Sequence, residues 1–95
     1  MKKTVLFYLS DCPYCHFARR AVRELTEENQ AYSSIEIEWV EESKRKDIAD
    51  KFNYYYVPTI FHDGKKLYEA HPSQGYEDVK ASIRKAFDTI IKCEG

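Results

Sequence analysis

Two cysteines three positions apart carry the most specific chemistry in this chain. Cys12-Pro13-Tyr14-Cys15 is a C-x-x-C pair between a strand-like run and a helix-like one, the setting of a dithiol redox motif. Cys12 falls at or just before the first helical turn, where backbone N–H groups without intrahelical partners point outward. Those donors and the helix dipole favour an anion, and so favour the Cys12 thiolate. A thiolate is the species that attacks a disulfide sulfur. Cys15 lies one turn deeper on the same face, placed to attack the resulting mixed disulfide. Pro13 and Tyr14 stiffen the turn and shape the surface around the nucleophile.

Other chemistries for these residues fit less well. A zinc site needs a second ligand pair, and His16, His62 and His71 are scattered along the chain. Cys12 to His16 also spells C-x-x-C-H, the covalent haem pattern, but that chemistry calls for an export signal and a distal ligand, and Met1 is the only methionine. With Cys93 the cysteines number three, which is no secreted disulfide framework. Cys93 reads as a bystander near the end of the last helix, open to glutathionylation or intermolecular pairing. No bound metal or organic cofactor is expected for a dithiol reaction.

The elements that must hold this pair follow one another with short joins. The chain has 95 residues, 43% hydrophobic and 33% charged, which fits one domain over residues 1–95 and is too apolar for disorder. A formal net charge of -1 gives no general pull on nucleic acid or on an anionic membrane. No apolar run approaches the roughly 20 residues that cross a bilayer. The apolar start stops at Ser10-Asp11, short of a signal peptide's h-region and cleavage site. The expectation is a cytosolic chain, monomeric, whose mature form starts at Met1.

Thr4 to Leu9 is a β-rich apolar run suited to a strand buried on both faces. Tyr14, Phe17, Ala18, Ala21, Val22 and Leu25 form one helical stripe, predicting a helix over Pro13 to Glu28 with Pro13 at its first position. Ser34 to Val40 alternates, with Ile35, Ile37 and Trp39 facing in, as an edge strand does. Ser43 is a candidate cap for a short helix through Phe52, with Ile48, Ala49 and Phe52 inward. Val57 to Phe61 is a strand, Asp63-Gly64 a hairpin turn, and Lys66 to Ala70 the antiparallel return. Pro72-Ser73-Gln74-Gly75 breaks the chain before a last helix, Tyr76 to Lys92, with Val79, Ile83, Phe87 and Ile90 inward. The order β-α-β-α-β-β-α makes an α/β domain. Its four-stranded mixed sheet has three helices on its two faces and a right-handed first crossover.

Over nearly its whole length the sequence resembles the glutaredoxins of the thioredoxin superfamily. The resemblance rests on Cys12-Pro13-Tyr14-Cys15, on Val57-Pro58 before a strand, and on Asp63-Gly64. It implies a thioredoxin-like fold with sheet order 2-1-3-4. It implies a thiol–disulfide oxidoreductase acting on protein disulfides or glutathione mixed disulfides, with Cys12 as nucleophile and Cys15 as resolving thiol. In that family the proline matching Pro58 is cis and aims the backbone of Val57 at the substrate, whose chain pairs like an added strand. Tyr56, Val57, Pro58, Gly75 and Asp78 match the family's substrate- and glutathione-binding positions, with glutathione as co-substrate.

The sequence departs from the family in three places. Tyr8-Leu9-Ser10-Asp11 lacks the usual lysine before the first cysteine, and Asp11 adds a charge that disfavours the thiolate. Tyr56 stands where the family has threonine. The Gly-Gly-x-x-Asp loop is replaced by Gln74-Gly75-Tyr76-Glu77-Asp78. Asp78 either holds the amine of glutathione or serves as a first-turn helix acid. Lys44 and Arg45 either meet a glutathione carboxylate or are a solvated face. His16 either offsets Asp11 or stands idle. Tyr54, Tyr55 and Tyr56 either form a substrate platform or pack on the sheet, and Tyr14 is expected to lie exposed over the active site. The electron donor is glutathione or a thioredoxin reductase. A second reading is a [2Fe–2S] module bridged by the first cysteine and glutathione, against which Pro13 argues.

Overall fold

The strand that delivers the chain to Cys12 is buried on both faces. In the computed structural model, which describes residues 3–71 and 73–94, β1 (Thr4–Tyr8) has Leu6 and Phe7 fully buried. Hydrophobic side chains on successive residues require cover on both sides, and the other elements supply it. After β1 come α1 (Pro13–Glu28), α2 (Gln30–Ser33), β2 (Ile37–Glu41), α3 (Lys46–Ala49), β3 (Thr59–His62), β4 (Lys65–Glu69) and α4 (Tyr76–Glu94). The sheet order is β2-β1-β3-β4, with β1 parallel to β2 and antiparallel to β3, and β3 antiparallel to β4. This is the thioredoxin-like α/β fold with the expected strand order.

One face of the sheet packs on α1 and α4. Leu6 and Ile60 meet Ala18, Ala21 and Leu25 from α1 and Val79, Ile83, Phe87 and Ile90 from α4. The two stripes read from the sequence are thus the two inward faces, and α1 has the expected bounds. On the other face Val5, Phe7, Val40 and Phe61 are covered by Ile48, Ala49, Phe52, Tyr54 and Val57. Phe7 is the hub of that layer, with ring centroids 4.9 Å from Phe52 and 5.0 Å from Tyr54.

The structure corrects several sequence expectations. A fourth helix, α2, occupies Gln30–Ser33, with Asn29 capping it through Ala31 N–H. It delays the second strand to Ile37, so the order is β-α-α-β-α-β-β-α. Within β2, Trp39 is 38% exposed and Val40 is the buried residue. β2 is the edge strand, and the helical layer packs on Ile35 and Ile37 without reaching Trp39, which sits edge-on to Tyr8. Ser43 caps nothing, because its N–H and hydroxyl both bond Glu41 at 2.8 and 2.7 Å. The helix starts later, with Arg45 at its N-cap position. Val57 and Pro58 precede the third strand, which begins at Thr59. At the hairpin, Asp63 and Gly64 both have positive φ, 53° and 82°, as a two-residue hairpin turn requires. Pro72, in the expected break before the last helix, lies outside the described residues.

No helix among the described residues is long and apolar enough to cross a membrane. Leu25 is fully buried where α1 meets the sheet and α4. Leu25→Ala is therefore expected to lower stability by about 3 kcal/mol, read as a drop in the urea midpoint at unchanged slope. A loss under about 0.5 kcal/mol, the ordinary range for surface changes, contradicts this packing.

Candidate functional site

Cys12 is the N-cap residue of α1, extended at φ -85° and ψ 124°, with Pro13 at the first helical position. Its carbonyl starts the helix by accepting from Cys15 N–H at 3.0 Å and His16 N–H at 3.1 Å. The Cys12 side chain thus stands where a serine or aspartate cap ordinarily stands, over the positive end of the helix. The first turn of α1 holds no acidic residue. Cys12 is partly exposed, and its Sγ–H points to the carbonyl oxygen of Val57 at 3.7 Å.

Cys15 lies behind it, 2% exposed. Leu9 N–H donates to its Sγ at 3.3 Å, so the loop leaving β1 is tied to the second sulfur. Burial pushes the Cys15 thiol up to about 12, against the lowering effect of the Leu9 N–H, with help from the hydrogen-bonded Cys12 and the charge of Glu42. At neutral pH Cys15 stays a thiol while Cys12 faces solvent.

The Val57-Pro58 peptide bond is cis, as the family resemblance implied. Pro58 is buried, and its carbonyl accepts from Ala70 N–H at 3.0 Å. Before it the chain is exposed, Tyr55 at 85% and Tyr56 at 49%. Of the tyrosine run, Tyr54 alone packs on the sheet, and its hydroxyl donates to Glu42 at 3.0 Å. Tyr14 corrects an expectation: it is half-buried, edge-on to Phe17, and its oxygen accepts from Ser73 N–H at 2.8 Å. That bond clamps the start of α1 to the loop before α4. His16 is exposed.

Two of the candidate glutathione residues, Gly75 and Asp78, are bonded to each other. Asp78 reaches back to accept from Gly75 N–H at 3.2 Å, the helix-capping geometry of a first-turn acid. Gly75 has no positive φ, and among the described residues an added Cβ would meet only Asp78 Oδ2 at 3.9 Å, so its backbone conformation does not require glycine. Arg45 is engaged with Asp47 at 3.3 Å. Among the described residues no three His, Cys, Asp or Glu converge as a metal site.

Sequence reasoning missed the Leu9 N–H, Glu42 and Glu69. Glu69 Oε2 accepts from both Tyr55 N–H and Tyr56 N–H. None of the three carries a motif, because each acts through tertiary placement.

Residues 9–72 match the family described as the glutathione S-transferase N-terminal domain. The chain belongs to that family. The matched stretch of this glutathione S-transferase N-terminal domain runs from Leu9 past Pro58 and stops before Gly75 and Asp78. It therefore contains both thiols and the cis bond. A sequence search of the curated proteins finds no match. Solved structures share the fold. The oxidised mitochondrial thioredoxin 3 of Saccharomyces cerevisiae aligns at TM-score 0.66 and 19% identity, over 93% of this chain and 77% of that one. A malarial protein aligns at 0.61 and 20%, over 90% and 97%. A mutant thioredoxin from Halobacterium salinarum aligns at 0.56 and 20%, over 90% and 74%.

The burial and raised proton affinity of Cys15 predict a labelling order. In a Cys93→Ser background, iodoacetamide at neutral pH modifies Cys12 and leaves Cys15 untouched, as peptide mapping reads. Deprotonation of Cys15 in the folded state begins only as pH climbs from the ordinary value of 9.0 toward about 12. Equal labelling of the two near neutrality contradicts this arrangement.

Proposed function

We propose that the domain is a glutaredoxin-like thiol–disulfide oxidoreductase, with Cys12 as nucleophile and Cys15 as resolving thiol. The observation that supports this best is a partly exposed sulfur at the N-cap of α1, backed by a buried sulfur one turn on. The cis Pro58 and the Val57 carbonyl beside Cys12 add a backbone edge on which an extended substrate segment docks.

The exchange proceeds in two displacements. The Cys12 thiolate attacks one sulfur of a substrate disulfide. A Cys12–substrate bond forms, the substrate S–S bond breaks, and the departing sulfur leaves as a thiolate and takes a proton. Cys15 then loses its proton and attacks Cys12 Sγ. A Cys12–Cys15 disulfide forms and the second substrate thiol leaves. The substrate has gained two electrons and two protons, which the domain has lost.

Two thiols of glutathione, or the dithiol of a thioredoxin reductase, return them. The family description, which names glutathione, supports the first donor. The second is favoured by the absence of a basic residue from Tyr8 to Asp11 and by the engagement of Arg45 with Asp47. The substrates are disulfide-bearing proteins or glutathione mixed disulfides, and a reducing compartment such as the cytoplasm suits a pair that must be kept reduced.

Cys12→Ser is expected to bring disulfide reduction to background. Cys15→Ser is expected to block protein-disulfide reduction, accumulate a mixed disulfide on Cys12, and still turn over glutathione mixed disulfides. Side-by-side reduction of the oxidised domain by glutathione and by NADPH with thioredoxin reductase assigns the donor. Full activity in Cys12→Ser overturns the proposal.

A further inference from the structure

The exposed segment before Pro58 is held from below by one carboxylate. Glu69 ends β4, and its side chain is 16% exposed. Its Oε2 accepts from the backbone N–H groups of Tyr55 and Tyr56 at 2.5 and 2.9 Å. Its Oε1 takes Lys66 Nζ at 2.8 Å, and the same ammonium donates to the Asn53 carbonyl at 3.3 Å. Burial works against ionisation here, yet Lys66 and the two N–H groups hold the carboxyl down to about 2, so it is a carboxylate at any working pH.

A register irregularity brings Glu69 to this place. Near the Asp63-Gly64 turn, His62 faces Lys65 and Phe61 faces Lys66. Continued without interruption, that pairing would set Tyr68 opposite Thr59. The shift between Ile60 and Phe61 moves β4 by one residue, so that Glu69 faces Thr59, next to Pro58. A bulge that re-aims one side chain is a recurrent device near functional sites. The segment is thus fixed at three points: Tyr54 by stacking on Phe7, Tyr55 and Tyr56 by Glu69, and the Pro58 carbonyl by Ala70 N–H. The side chains of Tyr55 and Tyr56 are left exposed to face a partner, with the Val57 carbonyl beside Cys12.

We propose that Glu69 is a positioning residue for disulfide substrates: its carboxylate holds the Tyr55–Val57 backbone in the form on which an extended peptide docks beside Cys12. The proposal rests on the oxidoreductase reading above. Hydrogen bonds to a charged acceptor are among the stronger ones, and here two of them order a segment that is otherwise exposed.

The test is steady-state reduction of a disulfide-bonded peptide by wild type, Glu69→Ala, Glu69→Gln and Arg84→Ala, with the oxidised domain recycled by whichever of glutathione or NADPH with thioredoxin reductase reduces it. The last removes an exposed ion pair with Glu28 at the α1–α4 contact and controls for general loss of stability. Glu69→Ala is expected to raise KM about tenfold, with kcat and the rate of Cys12 alkylation by iodoacetamide changed less than about twofold. Glu69→Gln keeps an acceptor oxygen for the two N–H groups and is expected to restore KM to within about threefold of wild type. Arg84→Ala keeps the wild-type KM. An unchanged KM in folded Glu69→Ala overturns the proposal, as does a fall in kcat and alkylation rate that matches the effect on KM. Failure of the wild-type domain to reduce the peptide at all is instead a failure of the oxidoreductase reading.

Discussion

The site depends on one junction, where a strand buried on both faces runs straight into the N-terminus of a helix. β1 cannot shift without exposing Leu6 or Phe7 on opposite sides of the sheet. α1 cannot rotate without withdrawing Ala18, Ala21 and Leu25 from the core. The three residues between them, Leu9 to Asp11, therefore deliver Cys12 to a position set by packing on both flanks. The Leu9 N–H bond to Cys15 Sγ and the Cys12 carbonyl bonds to Cys15 and His16 complete the junction. The two sulfurs differ in exposure because one sits at the cap and the other on the buried stripe.

Much of this was legible in the sequence because it follows from local rules. The stripe from Tyr14 to Leu25 with Pro13 ahead of it specifies α1 to the residue, and Asp63-Gly64 specifies the hairpin. The missed elements are those where short-range signals compete. Gln30–Ser33 is a single helical turn with no hydrophobic period of its own, stabilised by the Asn29 cap and by burial of Tyr32. Ser43 looks like a helix cap, but Glu41 two residues earlier captures both of its donors. Trp39 looks like a core residue by alternation, but burial depends on what covers an edge strand, and alternation does not encode that.

The thiols were found from spacing alone, whereas their surroundings were not. Glu42 acts on the site from the turn after β2 and Glu69 from β4, and Glu69 arrives only through a one-residue shift in the β3–β4 register. A capping role for Asp78 was one of two readings open from the sequence, and the bond from Gly75 N–H supplies the geometry for it. The family match covers the thiols and the cis bond and leaves this last loop outside.

The central claim is that Cys12 and Cys15 form one reversible redox couple. The direct measurement equilibrates the domain in glutathione buffers of graded ratio, quenches with acid, and maps the cysteines by mass. The account predicts interconversion between a dithiol and a single Cys12–Cys15 disulfide, with Cys93 outside the couple. A Cys12 that stays a thiol under oxidising ratios, or that bridges to Cys93 instead of Cys15, contradicts it.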